Sequence, residues 1–264
     1  MKNVSSGMIV YTFDQTLEGL LTAVFDAFAL RQYPEMLMGE GSQLPLFCED
    51  VHQVDTDSEK SGRVWAGLEK RQPKEILRMI TVSCLSELPE LYTPLFHWIC
   101  KMFRTESSLA INYSDPDVLA VTNIARKVMH EQLRMKQFIR FQKAKDGTYL
   151  AVVSPDHNVL PIVTDHFQDR FGDQSWLIYD ARRKYGYYFD QQELLRVTFQ
   201  DADALPFDFE TGKLSDELLS ENDRLLQNLW RTYFKAICIR ERMNPKKQLN
   251  DMPRRYWKYM TEKQ

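Results

Sequence analysis

The hydrophobic pattern of this chain changes at Asp146-Gly147, and this change limits the fold more than any other feature of the sequence. Before it, apolar residues recur at helical spacing and predict a long helix from about Pro116 to Lys143. The apolar stripe of this helix consists of Val121, Ile124, Val128, Met135 and Phe138. After the change, the sequence predicts a short helix over Leu160–Phe171 and four strands: Tyr149–Val153, Trp176–Tyr179, Tyr185–Phe189 and Leu194–Phe199.

The N-terminal half is predicted to be rich in helices. Met8–Phe13 is an apolar run typical of a buried strand, and Thr16 is placed to cap the helix that follows. An acidic passage predicted to consist mainly of loops comes next. In it, we expect Ser58 to cap a short helix over Arg63–Lys70.

The middle of the chain carries two breaks. The apolar run from Ile76 to Phe103 predicts two helices separated near Pro89. The turn-forming segment Asn112–Pro116 is the best internal boundary, which divides the chain into residues 1–112 and 113–264 unless the two parts form one continuous domain. Because helices and strands fall in separate runs, we expect an α+β protein. Its small, mostly antiparallel sheet would be flanked by helices from both ends of the chain.

The C-terminal part combines a predicted helix with a basic tail. The helix is expected to begin at Ser215 and to direct one apolar face inward. This face consists of Leu219, Leu226, Leu229, Trp230, Tyr233 and Ile237.

Charge is unevenly distributed along the chain, although the formal net charge is only −3. The segment from Glu40 to Glu59 has six acidic residues and no Lys or Arg, and Asp201 to Asp223 has eight acidic residues against one Lys. By contrast, Arg231 to Lys263 holds ten Lys or Arg against three acidic residues. This separation indicates either a protein that orients on a nucleic acid or charged partner, or three solvated surfaces.

The sequence predicts a cytoplasmic protein. No segment approaches the roughly 18 uncharged apolar residues that a membrane span needs, and the first residues lack the apolar core of a signal peptide. The four cysteines are far apart and form no CxxC pair, so we expect buried thiols in a reducing compartment.

No specific catalytic motif is present, and the sequence indicates no metal or cofactor of its own. One weak pattern is the strand followed by Asp180 and Lys184, with Asp190 and Glu193 nearby. Carboxylates and a lysine in this order resemble the arrangement of metal-dependent nucleases, which cluster carboxylates around Mg²⁺. A DNA-processing enzyme is therefore an alternative.

Two basic and aromatic segments are the candidate nucleic-acid-binding residues. The first contains Arg182, Arg183, Lys184 and Tyr185, and the second contains Lys246, Lys247, Arg254, Arg255, Trp257 and Lys258. Cations neutralise phosphates and aromatic rings stack on bases. If the second segment binds phosphate, its cations face solvent together rather than pair with carboxylates. In the alternative, the aromatic residues of both segments are structural.

Several segments resemble a family of bacterial DNA-metabolism proteins built around a domain of unknown function. The resemblance covers roughly residues 8 to 262, and each of its motifs is weak when taken alone. It is carried by Val10–Asp14 with Leu17–Phe25, Thr56-Asp57 with Lys60 and Arg63-Val64, Asp165–Phe171, Trp176–Asp180 with Tyr185–Tyr188, Asn244-Pro245 and Pro253–Tyr259. The chain departs from the family at Thr12-Phe13, where a more polar turn is expected, and in its first seven residues.

The resemblance implies a function in DNA metabolism or repair. Members of the family are commonly encoded beside a radical S-adenosylmethionine protein, and relatives are fused to a uracil-DNA glycosylase-like domain that this chain lacks. The resemblance provides no catalytic residues. We therefore expect an accessory protein that binds DNA and works with a radical S-adenosylmethionine partner. The alternatives are the nuclease-like enzyme and a protein-only scaffold whose basic tail docks an acidic partner.

Overall fold

The computed structural model describes residues 8–104, 112–199, 208, 211–215, 217–236 and 244–263, with the backbone alone at 230 and 233–236. The chain divides into two compact units, Met1–Met129 and His130–Gln264. The domain boundary near Asn112 stays a prediction.

The N-terminal unit contains a three-stranded parallel sheet and helices. The strands are β1 (Met8–Phe13), β2 (Met36–Gly39) and β3 (Cys48–Gln53). The helices are α1 (Leu17–Leu30), α2 (Ser58–Arg71), α3 (Lys74–Cys84), α4 (Tyr92–Arg104) and the first part of α5 (Pro116–Phe138). The break predicted near Pro89 is confirmed, since a 3-10 turn at Pro89–Leu91 separates α3 from α4.

The parallel sheet corrects the expectation of a single sheet in the protein. Its strand order is β2-β1-β3, so β1 lies in the centre, where Val10, Tyr11 and Phe13 are fully buried. The prediction that the acidic passage consists mainly of loops was wrong over Cys48–Gln53, which pairs with β1. This edge strand is mostly polar and exposed, so its sequence lacks the apolar alternation by which strands are recognised.

Two helix caps show how local hydrogen bonds set the helix starts. Thr16 caps α1 as predicted, because its hydroxyl accepts a hydrogen bond from the Gly19 amide at 2.9 Å. For α2 the predicted cap Ser58 was wrong. The cap is Asp57, whose carboxylate accepts hydrogen bonds from the amides of Glu59 at 2.8 Å and Lys60 at 2.9 Å.

The C-terminal unit contains the end of α5 and a five-stranded mixed sheet with order β4-β5-β6-β7-β8. Its strands are β4 (Gln142–Lys143), β5 (Tyr149–Val153), β6 (Trp176–Asp180), β7 (Tyr185–Phe189) and β8 (Leu194–Val197). The helices α6 (Thr164–Arg170), α7 (Glu221–Ala236) and α8 (Pro245–Asp251) follow in order, and 3-10 helices span Leu160–Ile162 and Arg254–Tyr259. Only the pair β5 and β6 is parallel, so the predicted α+β class with a mostly antiparallel sheet is confirmed.

The long helix α5 ends at Phe138, five residues before the predicted end at Lys143. Beyond it, Gln142 and Lys143 pair with β5, and the ring of Phe141 packs against Phe167, Phe171 and Trp176 at centroid distances of 5.6 to 6.4 Å. Pairing with the sheet and aromatic packing therefore override the helical pattern at this end.

The apolar face predicted for α7 is only partly correct. Leu219 is buried, but it precedes the helix and lies in a bridge to Ala144. Leu226 and Leu229 are exposed at 60% and 56%, so the expectation that they point inward was wrong. The side chains of Trp230 and Tyr233, and all of Ile237, lie outside the described residues.

Among the described residues, no helix is long and apolar enough to cross a membrane. The expectation of buried thiols is met by Cys100, whereas Cys48 and Cys84 are partly buried and Cys238 lies outside the described residues. Burial raises the pKa of the Cys84 and Cys100 thiols to about 12.

The cap assignment predicts a contrast between two adjacent substitutions. Asp57→Ala removes the acceptor of two amide hydrogen bonds and should lower the melting temperature by about 2–4 °C. Ser58→Ala should leave it unchanged within about 1 °C, because alanine is a good helix former. Thermal unfolding followed by circular dichroism measures both variants. The reverse order of effects would restore Ser58 as the cap.

Candidate nucleic-acid interface

The candidate site lies at one edge of the five-stranded sheet. Because β5 and β6 are parallel, with Val153 opposite Asp180, the segments that follow these strands leave the sheet at the same edge. After β5 comes a loop formed by Pro155, Asp156, His157 and Asn158, called here the 155–158 loop. After β6 comes the turn that carries the first basic segment. In open sheets with parallel strands, this edge commonly holds ligand sites.

Asp180 shapes the turn after β6. Its carboxylate is fully buried and accepts hydrogen bonds from the amides of Arg182 at 2.9 Å and Arg183 at 3.1 Å. It also forms an ion pair with the Arg183 guanidinium at 2.9 Å. Lys184 adopts a left-handed conformation with φ 57°, and its amide donates to the Asp180 carbonyl at 2.8 Å. Asp180 is therefore a structural residue that folds the basic segment into a tight turn.

The first basic segment is attached to the 155–158 loop. Arg182 and Arg183 each donate to the Asp156 carbonyl at 3.0 Å, and Arg183 also donates to the Pro155 carbonyl at 3.1 Å. The buried Tyr185 hydroxyl donates to the Asn158 side chain, and burial raises the pKa of Tyr185. The two guanidinium groups thus provide hydrogen-bond donors for carbonyl groups of the loop, which lie beyond the end of the strand and have no partner in the sheet.

Glu131 of α5 holds the other side of the loop. Its carboxylate, 1% exposed, accepts hydrogen bonds from the amides of Asp156 at 3.1 Å and His157 at 2.8 Å. From the C-terminal 3-10 helix, the Tyr256 hydroxyl donates to it at 2.8 Å and Arg255 at 3.2 Å. Arg255 also pairs with the Asp156 carboxylate at 3.1 Å.

The ionisation of Glu131 reflects these contacts. Burial alone would raise its pKa, but the hydrogen bonds from Tyr256, Asp156 and His157 and the charge of Arg255 together hold the pKa below its ordinary value of 4.5. The carboxylate is therefore charged at neutral pH and holds the C-terminal 3-10 helix against the 155–158 loop.

The structure brings parts of the two basic segments together, with different roles for their members. Arg182 and Arg183 contact the loop from one side, and Arg255 contacts it from the other. Arg183 is 10% exposed, and Arg255 is bound to two carboxylates. Arg182, Lys184, Arg254 and Lys258 remain exposed.

Phosphate binding by the C-terminal segment was expected to leave its cations facing solvent together rather than each paired with a carboxylate, and two of them do pair with carboxylates. Arg255 pairs with Glu131 and Asp156, and Lys247 pairs with Asp251 one helical turn away at 2.9 Å. Lys246 is exposed on α8. These pairs arise because the loop and α8 each bring a carboxylate within reach of a basic side chain.

Trp257 is half-buried rather than a free stacking surface. Its indole N–H donates to the Met252 carbonyl at 3.0 Å, and its ring lies beneath the cations of Arg254 at 5.9 Å and Lys263 at 4.7 Å. Together with the buried Tyr256, it fits the structural alternative for the aromatic residues of this segment.

The nuclease-like arrangement of Asp180, Lys184 and Glu193 was wrong. Asp180 lies opposite Tyr185, whereas Glu193 precedes Leu194, which pairs with Phe189 opposite Trp176. The two carboxylates therefore lie at opposite ends of the strands, at least about 13 Å apart. Among the described residues, no three His, Cys, Asp or Glu side chains lie close enough to hold a metal ion.

Neither Glu131 nor Asn158 was predicted from the sequence as a site residue. A signal for Glu131 does exist, since it lies three residues after Val128 and four before Met135, on the apolar stripe of α5. A carboxylate on a buried face requires partners. The sequence contains no local indication of which residues these are.

The chain belongs to the family described as a domain of unknown function, DUF4130, whose model matches residues 89–262. This match spans about two thirds of the chain and includes Glu131, the 155–158 loop and both basic segments. No curated protein and no solved structure matches the chain.

The role of Glu131 predicts a specific dependence of stability on pH. Glu131→Gln should lower the free energy of unfolding by about 2 kcal/mol or more near neutral pH, because one amide oxygen replaces a charged acceptor. Since the folded pKa lies below 4.5, the stabilisation by ionised Glu131 is complete above this value and is lost as the pH falls through the folded pKa.

The gap in melting temperature between the wild type and Glu131→Gln should therefore narrow below about pH 4.5. Glu75→Gln, at an exposed position of α3, makes the same chemical change without buried partners and serves as the control. Calorimetry over the acidic range measures the gap. A gap that stays constant at all pH values would contradict the assigned ionisation.

Proposed function

We propose that this protein is a nucleic-acid-binding accessory factor of DNA metabolism that works with a radical S-adenosylmethionine partner. The surface that contacts nucleic acid consists of the exposed cations next to the residues that hold the 155–158 loop, namely Arg182, Lys184 and Arg254. The DNA-metabolism context and the partner rest on the resemblance described above, and the contact surface rests on the geometry.

One observation carries the proposed surface. Basic segments that are about 70 residues apart in the sequence contact the same loop at Asp156. The carbonyl of Asp156 accepts hydrogen bonds from Arg182 and Arg183, and its carboxylate forms an ion pair with Arg255. The internal pairs neutralise Arg183 and Arg255, and these pairs position the neighbouring cations. Arg182 and Lys184 on one side, and Arg254 on the other, are left exposed to bind phosphates.

The mode of contact follows from which groups are buried. Tyr185 and Tyr256 are 4% exposed each, so their rings are not available to stack on bases. Contact through exposed cations alone is electrostatic and reads no sequence. We therefore expect weak sequence preference and strong salt dependence, because each phosphate contact releases a counterion.

The proposed surface predicts the effect of removing two exposed cations. Arg182→Gln with Lys184→Gln should weaken binding to a single-stranded oligonucleotide. It should also make the slope of log affinity against log salt shallower by roughly 0.7 for each phosphate that the variant no longer neutralises. Lys70→Gln with Lys74→Gln makes the same charge change at exposed positions of the N-terminal unit and is the matched control. Fluorescence anisotropy at several salt concentrations measures both.

Equal affinities and slopes for the two double variants would contradict a specific surface in the C-terminal unit. The radical enzyme partner is tested separately by its capture on immobilised protein with and without DNA. If Arg254→Gln abolishes this capture while DNA affinity is unchanged, the basic segment docks a protein, as the scaffold alternative predicts. If the radical enzyme is captured neither with DNA nor without it, the partner is removed from the proposal.

A further inference from the structure

The N-terminal unit contains a cavity of about 510 Å³ that lies outside the site described above. Side chains of α1, α2 and α4 form its walls. They are Val24, Phe25, Phe28, Ala29, Arg63, Val64 and Phe103. The volume falls within the range of small-ligand sites, which is about 300–1,000 Å³.

Three phenyl rings make the walls of the cavity aromatic. Phe28 and Phe103 meet edge to face with ring centroids 6.0 Å apart, and Phe25 contributes a third half-buried ring. A glycine lets α2 approach the ring of Phe103, because a Cβ at Gly67 would lie 2.9 Å from its Cε1 atom. The walls therefore offer aromatic surface on which a flat apolar group can stack.

Guanidinium groups surround these rings. Arg63 lies 5.0 Å above the ring of Phe25, and Arg71 lies 5.5 Å above that of Phe103. Arg104 lies 3.7 Å above the ring of Tyr33 and 6.0 Å above that of Phe28. All three arginines are exposed.

The electrostatic balance of this rim favours an anion. None of the described residues that line the cavity is acidic, and within the described ranges Arg63 and Arg104 form no ion pair. Lys60 also lies over Phe25, but its charge is compensated by Asp26 at 2.8 Å. Arg63 and Arg104, which have no ion-pair partner among the described residues, lie beside an aromatic cavity and fit a ligand with a flat apolar body and a negative charge.

We propose that this cavity holds one nucleotide of a single-stranded nucleic acid. The base lies against Phe25, Phe28 and Phe103, and the phosphates flanking it bind Arg63 and Arg104. Stacking tolerates any base because each has a π face, so the site selects unpaired nucleotides rather than a sequence. An acidic peptide would satisfy the arginines but leave the aromatic walls unfilled. The proposal takes its ligand class from the proposed function and adds a second, separate site.

The test measures binding of a fluorescent ten-residue oligothymidylate to the full chain. Ala29→Trp places a bulky ring in the cavity from an exposed position, and Arg63→Glu reverses the charge at its rim. Each should lower the affinity about tenfold, the loss expected when one stacked base is excluded. Ala66→Trp and Arg78→Glu make the same changes at exposed positions that do not line the cavity, and should leave the affinity unchanged.

Two competitors distinguish a nucleic-acid strand from a free nucleotide and from an acidic protein segment as the ligand. Thymidine monophosphate should compete weakly, and a glutamate-rich peptide of the same charge as the oligonucleotide should compete less than an unlabelled oligonucleotide. Equal competition by the peptide would overturn the proposal in favour of an acidic protein segment. Competition by thymidine monophosphate as strong as that by the unlabelled oligonucleotide would overturn it in favour of a free nucleotide.

The two proposed surfaces fail independently. If Arg182→Gln with Lys184→Gln weakens binding while Ala29→Trp and Arg63→Glu bind like their controls, the cavity proposal is wrong and the proposed function stands. If the cavity variants alone weaken binding, the C-terminal surface is wrong and the nucleotide site stands. Circular dichroism confirms that each variant is folded. If Ala29→Trp is not folded, Arg63→Glu alone decides the outcome.

Discussion

An ionised carboxylate that is removed from water needs hydrogen-bond donors from the protein. In the C-terminal unit, the buried carboxylate of Glu131 has this requirement. Its four donors come from two segments that are 25 to 125 residues away in the sequence. Without them the buried charge would cost several kcal/mol. The loop after β5 and the C-terminal 3-10 helix are therefore both placed by a single side chain of α5.

This arrangement separates the basic residues into two functional groups. Arg183 and Arg255 are used to fold the protein, because Asp180, Asp156 and Glu131 compensate their charges. These internal pairs fix the positions of the exposed cations that are next to them in the chain. A surface built in this way holds its charges close together without the disorder of a free basic tail, which favours binding to a polyanion.

Local patterns predicted much of the fold and little of the site. The strands β5, β6 and β7 and the break near Pro89 each carry their own signal in a short window. The parallel edge strand Cys48–Gln53 was missed because its residues are polar and its partner β1 lies far away in the sequence. The ion pair of Arg255 with Glu131 spans 124 residues, so the basic segment alone could not indicate that one of its members is structural.

Hydrogen exchange of the full chain with and without a single-stranded oligonucleotide tests most directly whether the two basic segments form one surface. We expect the oligonucleotide to slow exchange in residues 182–185 and in residues 254–258 together, over the same range of oligonucleotide concentration. Slowing in only one of these segments, or at separate concentrations, would contradict a common surface organised by the 155–158 loop.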